Sequence, residues 1–165
     1  MLIDTHAHLE MREFNDDRDE VLKRAREAGV GYIVTIGTTV ESSRDAVLPA
    51  EKHDFIYAAI GVHPHEAKDI LHPAYDILRH FAQHPKVVAY GEIGLDYYYE
   101  HSQRSVQQRK FRDMLREAIR EATGVDCDLR WPNDLLIGPR KCCGILVNLE
   151  STGALVAGIG INVNH

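Results

Sequence analysis

The sequence predicts an α/β protein in two parts, a (βα)4 unit with a parallel sheet and then an antiparallel β-meander. Three observations carry this. Short apolar runs alternate with amphipathic stretches as far as about Arg120, the rhythm of strands joined by crossover helices. The runs are nearly continuous in apolar residues, as expected of strands covered on both faces. After Gly124 the helical stretches stop and β-rich runs follow one another across short turns, which favours antiparallel pairing.

The elements follow in order. "MLID" reads as a strand, and "DDRDEVLKRAREAG" as a helix with Gly29 at its end. The acidic run "NDDRDE" at 15–20 complements the partial positive charge of that helix start. "YIVTIG" is a β-branched strand, and "TVESSRDAV" opens a helix running to about Lys52. "FIYAAIG" is the third strand and "AYDILRHFAQH" its helix. "KVVAYGEIG" is the fourth, followed by the long helix "SQRSVQQRKFRDMLREAIREATG". Four such units make a half TIM-barrel-like arrangement, half of a (β/α)8 barrel. Next come "VDCDLRW", "DLLIG" across a Pro-Asn turn signal, and the longer strands "KCCGILVNLE" and "ALVAGIGINV" separated by "STG". The stretch Val125–Arg130 can either continue the parallel sheet as a fifth strand or begin the meander. A half barrel has two edges with unpaired backbone groups, so self-association through them is expected.

Bulk properties narrow the function. A length of 165 residues suits one core. The net charge of −6 argues against broad binding to a phosphate backbone, which needs clustered Lys and Arg. Nucleic acid as a substrate stays open, because a metal can supply local positive charge. Cys127, Cys142 and Cys143 are odd in number and form no C-x-x-C, which suggests neither a disulfide framework nor a zinc knuckle. The start lacks a basic-then-apolar leader and no apolar run approaches ~18 residues, so a cytoplasmic location without a membrane span is expected.

The candidate chemistry lies at the strand ends. "THAH" puts His6 and His8 just past the first strand, two apart in extended chain and so on one face. "GVHPH" puts His63 and His65 after the third strand, and "GEIGLD" puts Glu92 at the end of the fourth. In a parallel barrel these positions share the C-terminal rim, where active sites are built. Two imidazoles and a carboxylate suit a divalent metal such as zinc, manganese or magnesium. His53, His72, His80, His84 and His101 read as solvated, and "YYY" at 97–99 as loop and rim packing in preference to base stacking.

"MLIDTHAHLE", "GVHPH" and "GEIGLDYYY" resemble, in order and spacing, the N-terminal half of the TatD family of metal-dependent deoxyribonucleases. The resemblance covers residues 1–117 and implies a TIM barrel whose divalent-metal centre cleaves DNA phosphodiesters. It implies that His6 and His8 ligate one metal, that Glu92 is the catalytic carboxylate bridging to a second, and that His63 lines the phosphate pocket. The family's remaining ligands, two histidines and an aspartate, follow its later strands. After residue 117 this sequence has one histidine, His165.

The remainder, residues 118–165, is similar to the central catalytic segment of biotin protein ligases. "LREAIREATGVDCDLRWPNDLLIGPRKCCGIL" and "GALVAGIGINVN" carry that likeness, which reaches back to about Leu115. It implies that Arg130, Asn133, Lys141 and Asn162 face biotin or its adenylate, with ATP and biotin as the ligands. Arg130 stands where that family usually has Lys, which changes the donor geometry. The family's Gly/Arg-rich adenylate loop has no counterpart upstream. The sequence thus reads as a chimera of two fragments. The expected function is TatD-like metal-dependent hydrolysis of phosphodiesters with DNA as substrate, at an incomplete, weak or inactive site. The alternatives are a biotin-ligase-like binding fragment or a structural chimera without activity.

Overall fold

The computed structural model describes residues 1–130, 134–149 and 155–161. The chain divides into two compact units, Met1–Leu115 and Arg116–His165. In the first, β1 (Leu2–Ala7), β2 (Val30–Ile36), β3 (Ile56–Ile60) and β4 (Val87–Tyr90) form a sheet in the order β1-β2-β3-β4, every pair parallel. The helices α1 (Arg18–Glu27), α2 (Val40–Lys52), α3 (Pro73–Ala82) and α4 (Arg104–Thr123) follow the strands in turn. Ile33, Ile56, Ile60, Ala46, Ala50, Leu78 and Met114 form the buried core, each large side chain contributing about 1.5–3 kcal/mol.

Local chemistry fixes the boundaries. Thr39 caps α2: its hydroxyl accepts the Ser42 N–H at 3.0 Å, and the Ser42 hydroxyl accepts the Thr39 N–H at 2.8 Å. Gly29, just past α1, has φ +89°, a conformation that favours glycine. Lys86 ties the opposite end of the sheet. Its ammonium donates to the carbonyls of His53, Asp54 and Ile56 at 2.9–3.3 Å and lies 4.8 Å over the Tyr57 ring.

Two glycines let backbones meet beneath the strand ends. A Cβ on Gly37 would fall 2.4 Å from Ser43 Cα. One on Gly61 would fall 2.9 Å from the Gly91 carbonyl carbon and from Ile93 Cγ2. The Ser43 hydroxyl sits between α2 and β3, accepting the Gly61 N–H and donating to the Gly61 carbonyl at 3.1 Å each. The segment after β4 is held in turn by the Gly91 N–H on Ile60 O and the Glu92 N–H on Gly37 O.

Several details differ from the sequence reading. β1 runs on to Ala7, so His6 lies inside the strand, whereas β4 stops at Tyr90, two residues before Glu92. Short 3-10 helices at Arg12–Phe14 and Pro64–Asp69 were not anticipated. The stretch Val125–Arg130 shrinks to β5 (Asp128–Arg130), which pairs antiparallel with β6 (Asp134–Ile137) and leaves the parallel sheet at four strands. Pairing to an adjacent run across a short connection wins over a parallel crossover.

The second unit continues with β7 (Arg140–Leu149) and β8 (Leu155–Ile161) in the order β5-β6-β7-β8, all antiparallel. Gly138, at φ +59°, makes the turn between β6 and β7. Arg116 and Asp128 form an ion pair within this unit. Among the described residues, β1 and β4 pair on one side only, and Leu2, Ile3 and Val88 are exposed along them. Among the described residues, no helix is long and apolar enough to cross a membrane.

Candidate metal centre

His6 is carried by β1, and its backbone N–H is fixed by the Asp4 carboxylate at 3.0 Å. His8 lies one residue past the strand. Its Nδ1 is 3.0 Å from the Ile36 carbonyl at the end of β2 and 3.1 Å from Glu10 Oε1. A carbonyl can only accept, so Nδ1 carries the proton and Nε2 keeps the lone pair that a metal needs. The Glu10 side chain, only 2% exposed, also accepts the Thr35 hydroxyl at 2.7 Å, which locks it behind His8.

Glu92 comes from the segment beyond β4. Its Oε2 is 3.5 Å from His6 Nε2 and its Oε1 is 3.6 Å from His63 Nε2. One donor atom each from His6, His8 and Glu92 lies within 4.8 Å of the others. Donors about 2.1 Å from one shared ion lie at most about 4.2 Å apart, so these side chains would draw slightly together on binding one. Two imidazoles and a carboxylate, with His6 exposed, fit a divalent ion having coordination positions open to water or substrate.

His63 reaches the same carboxylate in a different chemical state. It caps the 3-10 helix that begins at Pro64, and its Nδ1 accepts the His65 N–H at 3.2 Å. In the neutral ring the proton is therefore on Nε2, making it a donor instead of a ligand. Burial holds its pKa below the ordinary imidazole value, against the pull of Glu92.

His65 turns away. Its Nε2 donates to Asp96 Oδ2 at 2.5 Å, while Asp96 Oδ1 accepts the N–H groups of Tyr98 and Tyr99 at 2.8 and 3.0 Å. Led by the Tyr99 N–H and then the His65 ring, these bonds hold Asp96 down at a pKa of about 2. The buried Gln107 carboxamide accepts the Asp96 N–H and donates to the Asp96 and Ser102 carbonyls. A depression of about 450 Å³ is lined by Glu92, His63, Asp96, Tyr97 and Tyr98, among others.

Glu10, Asp96 and Gln107 escaped the sequence reading. Glu10 has a signal in its place two residues after His8, and Asp96 closes "GEIGLD"; Gln107 has none. The packing assigned to "YYY" holds for Tyr97, which lies under the Arg104 guanidinium and accepts from Gln108, but Tyr98 and Tyr99 are exposed. His101 is exposed as expected, yet its ring stacks on Tyr99 and meets His65 edge-on. His84 pairs with Glu51 at 3.1 Å. Arg130 and Lys141 lie exposed on β5 and β7, and Asn133 and Asn162 lie outside the described residues.

Comparison with known proteins gives two family matches. The model of TatD related DNases matches residues 3–125, and that of the biotin/lipoate A/B protein ligase family matches 95–164. The two ranges overlap over 95–125, which takes in α4. The chain is 40% identical over 115 residues to the uncharacterized metal-dependent hydrolase YabD of Bacillus subtilis, covering 70% of this chain and 45% of that protein. It is 39% identical over 115 residues to the 3'-5' ssDNA/RNA exonuclease TatD of Musicola paradisiaca, covering 69% of this chain and 44% of the relative. The crystal structure of YJJV, a TatD homolog from Escherichia coli, superposes with a TM-score of 0.69 at 34% identity, over 73% of this chain and 48% of that one. The chain thus spans a little under half the length of the proteins it matches. With its parallel strand–helix units and its matched residues 3–125, it belongs to the family of TatD related DNases.

Proposed function

We propose that this chain is a metal-dependent phosphodiesterase acting on nucleic acid, with a reduced metal site and slight activity. The observation that carries it is the convergence of His6 and His8, from β1 and the residue just past it, with Glu92 from the segment beyond β4. These residues would hold one divalent ion: zinc, manganese or magnesium. Such an ion supplies positive charge to a phosphate and lowers the pKa of a bound water. His63 would present its Nε2–H to a phosphate oxygen beside Glu92. Relatives named as ssDNA/RNA exonucleases support nucleic acid as the substrate class. A second ion would need further ligands, and the sequence after 117 follows another family and offers His165 as its one histidine.

In this reading residues 1–117 carry the chemistry, and 118–165 are a biotin-ligase-like segment retained as sheet. Arg130 in place of Lys, and the lack of a Gly/Arg-rich loop upstream, leave ATP and biotin outside it. Calorimetric titration of zinc or manganese is the test. The parent should give binding heat that fades on acidification, since protonated imidazole cannot ligate, and His6→Ala/His8→Ala should give none. Equal heats from both proteins would remove the site.

We also propose that copies pair through the free edges of β1 and β4, where Leu2, Ile3 and Val88 are exposed. Sedimentation velocity should show dimer growing with concentration; a single monomeric species throughout would end the idea.

A further inference from the structure

We infer that Tyr98 is a stacking platform for a base of a single-stranded nucleic acid whose phosphate lies at the metal centre. This rests on the function proposed above and adds how the substrate is gripped. Tyr98 is 86% exposed and Tyr99 64%, two large rings side by side in solvent. Tyr99 is parallel to His101 within 7° and meets Tyr98 nearly at right angles, at 4.8 Å between ring centres. Tyr99 is thus braced from behind, while Tyr98 remains open.

The loop that carries these rings is already ordered. Asp96 holds the backbone of both tyrosines, Gln107 staples Asp96 to Ser102, and the buried Ser102 hydroxyl donates to the His65 carbonyl at 2.8 Å. A ring placed on so well-bonded a loop loses little conformational freedom when a partner stacks on it.

The rings also connect to the centre. His63 faces Glu92; its ring lies 4.3 Å from His65, and His65 lies 5.6 Å from Tyr99. Glu92, His63 and Tyr98 all line the one depression beside them. A phosphate near Glu92 and a base on Tyr98 would therefore belong to one short stretch of strand. Bases in a duplex are stacked on one another and offer no free face, so this geometry selects single strands. In a chain of net charge −6, stacking also supplies affinity that a basic groove would otherwise provide.

The test uses the full chain and a short oligothymidylate carrying one 2-aminopurine, whose fluorescence is quenched on stacking. Titration with and without zinc should show saturable quenching by the parent. Tyr98→Ala should weaken binding at least about fivefold and lose the quench, whereas Tyr98→Phe should keep both. An abasic oligomer of equal length should bind parent and Tyr98→Ala alike. Parent-like binding and quenching by Tyr98→Ala, or equal parent affinity for the abasic and base-containing oligomers, would overturn the platform. A parent that binds neither oligomer would overturn it too. Metal heats are measured without nucleic acid, so the two readings fail separately. The exposed position of Tyr98 makes an unchanged thermal midpoint the control for folding.

Discussion

The chain has two His-x-His sequences at the ends of parallel strands, His6/His8 at the end of β1 and His63/His65 after β3, and the two pairs do different things. In the first the chain stays extended to Ala7, and both rings contribute donors to the cluster with Glu92. In the second, Pro64 starts a 3-10 turn between the histidines. His63 then accepts its neighbour's N–H through Nδ1, while His65 swings to Asp96 on the tyrosine loop. The hydrogen bond made by the far ring nitrogen decides which atom is left for chemistry. A carbonyl behind His8 leaves a lone pair; an amide behind His63 leaves a proton. Spacing brings imidazoles to a rim, and backbone shape assigns their tasks.

Single substitutions in one metal titration sharpen this contrast. His8→Ala, which removes a proposed ligand, should have the largest effect and weaken metal binding beyond about 100-fold, more than the loss of an outer partner. Glu10→Gln keeps the shape but removes the carboxyl group behind His8, and should weaken it about 10- to 100-fold. His65→Ala should leave the metal affinity as in the parent while raising the proteolytic susceptibility of the 96–101 loop. Comparable metal losses from His8→Ala and His65→Ala would erase the distinction between the pairs.

A smaller effect concerns the His65–Asp96 pair under acid. Asp96 has its folded pKa depressed to about 2 by the Tyr99 N–H and the His65 ring. A depressed carboxyl stabilises the fold above its ordinary value near 3.9 and loses that contribution as pH falls toward about 2. Denaturant unfolding at pH 5 and at pH 2.5 should show a smaller stability difference for Asp96→Asn than for the parent. An identical difference in the two proteins would detach Asp96 from the stability of the loop.

The fold class was legible because apolar runs, helix starts such as Thr39, and ends such as Gly29 are local signals. So was the change from parallel to antiparallel pairing, since the change from crossover helices to short turns is written in the order of elements. The grouping of His6, His8 and Glu92 followed from one rule, that parallel strand ends share a rim. What stayed hidden depends on contacts between distant residues. The place of Glu10 behind His8 needs β2 to bring up Ile36 and Thr35, and the exposure of Tyr98 needs Gln107 on α4 to hold its loop. β5 is three residues long, and its sheet is decided by which partner lies nearest.

Lys86 has a consequence of another kind. Its nitrogen gives one donor to each of three carbonyls at the foot of the sheet and covers a tyrosine face. An acylating reagent attacks through the amine lone pair, and here that lone pair becomes available only after the nitrogen releases a proton and abandons its cradle. Lys86 should therefore be a slow nucleophile while this end of the molecule stays closed, and its labelling would keep time with the opening of β3 and β4.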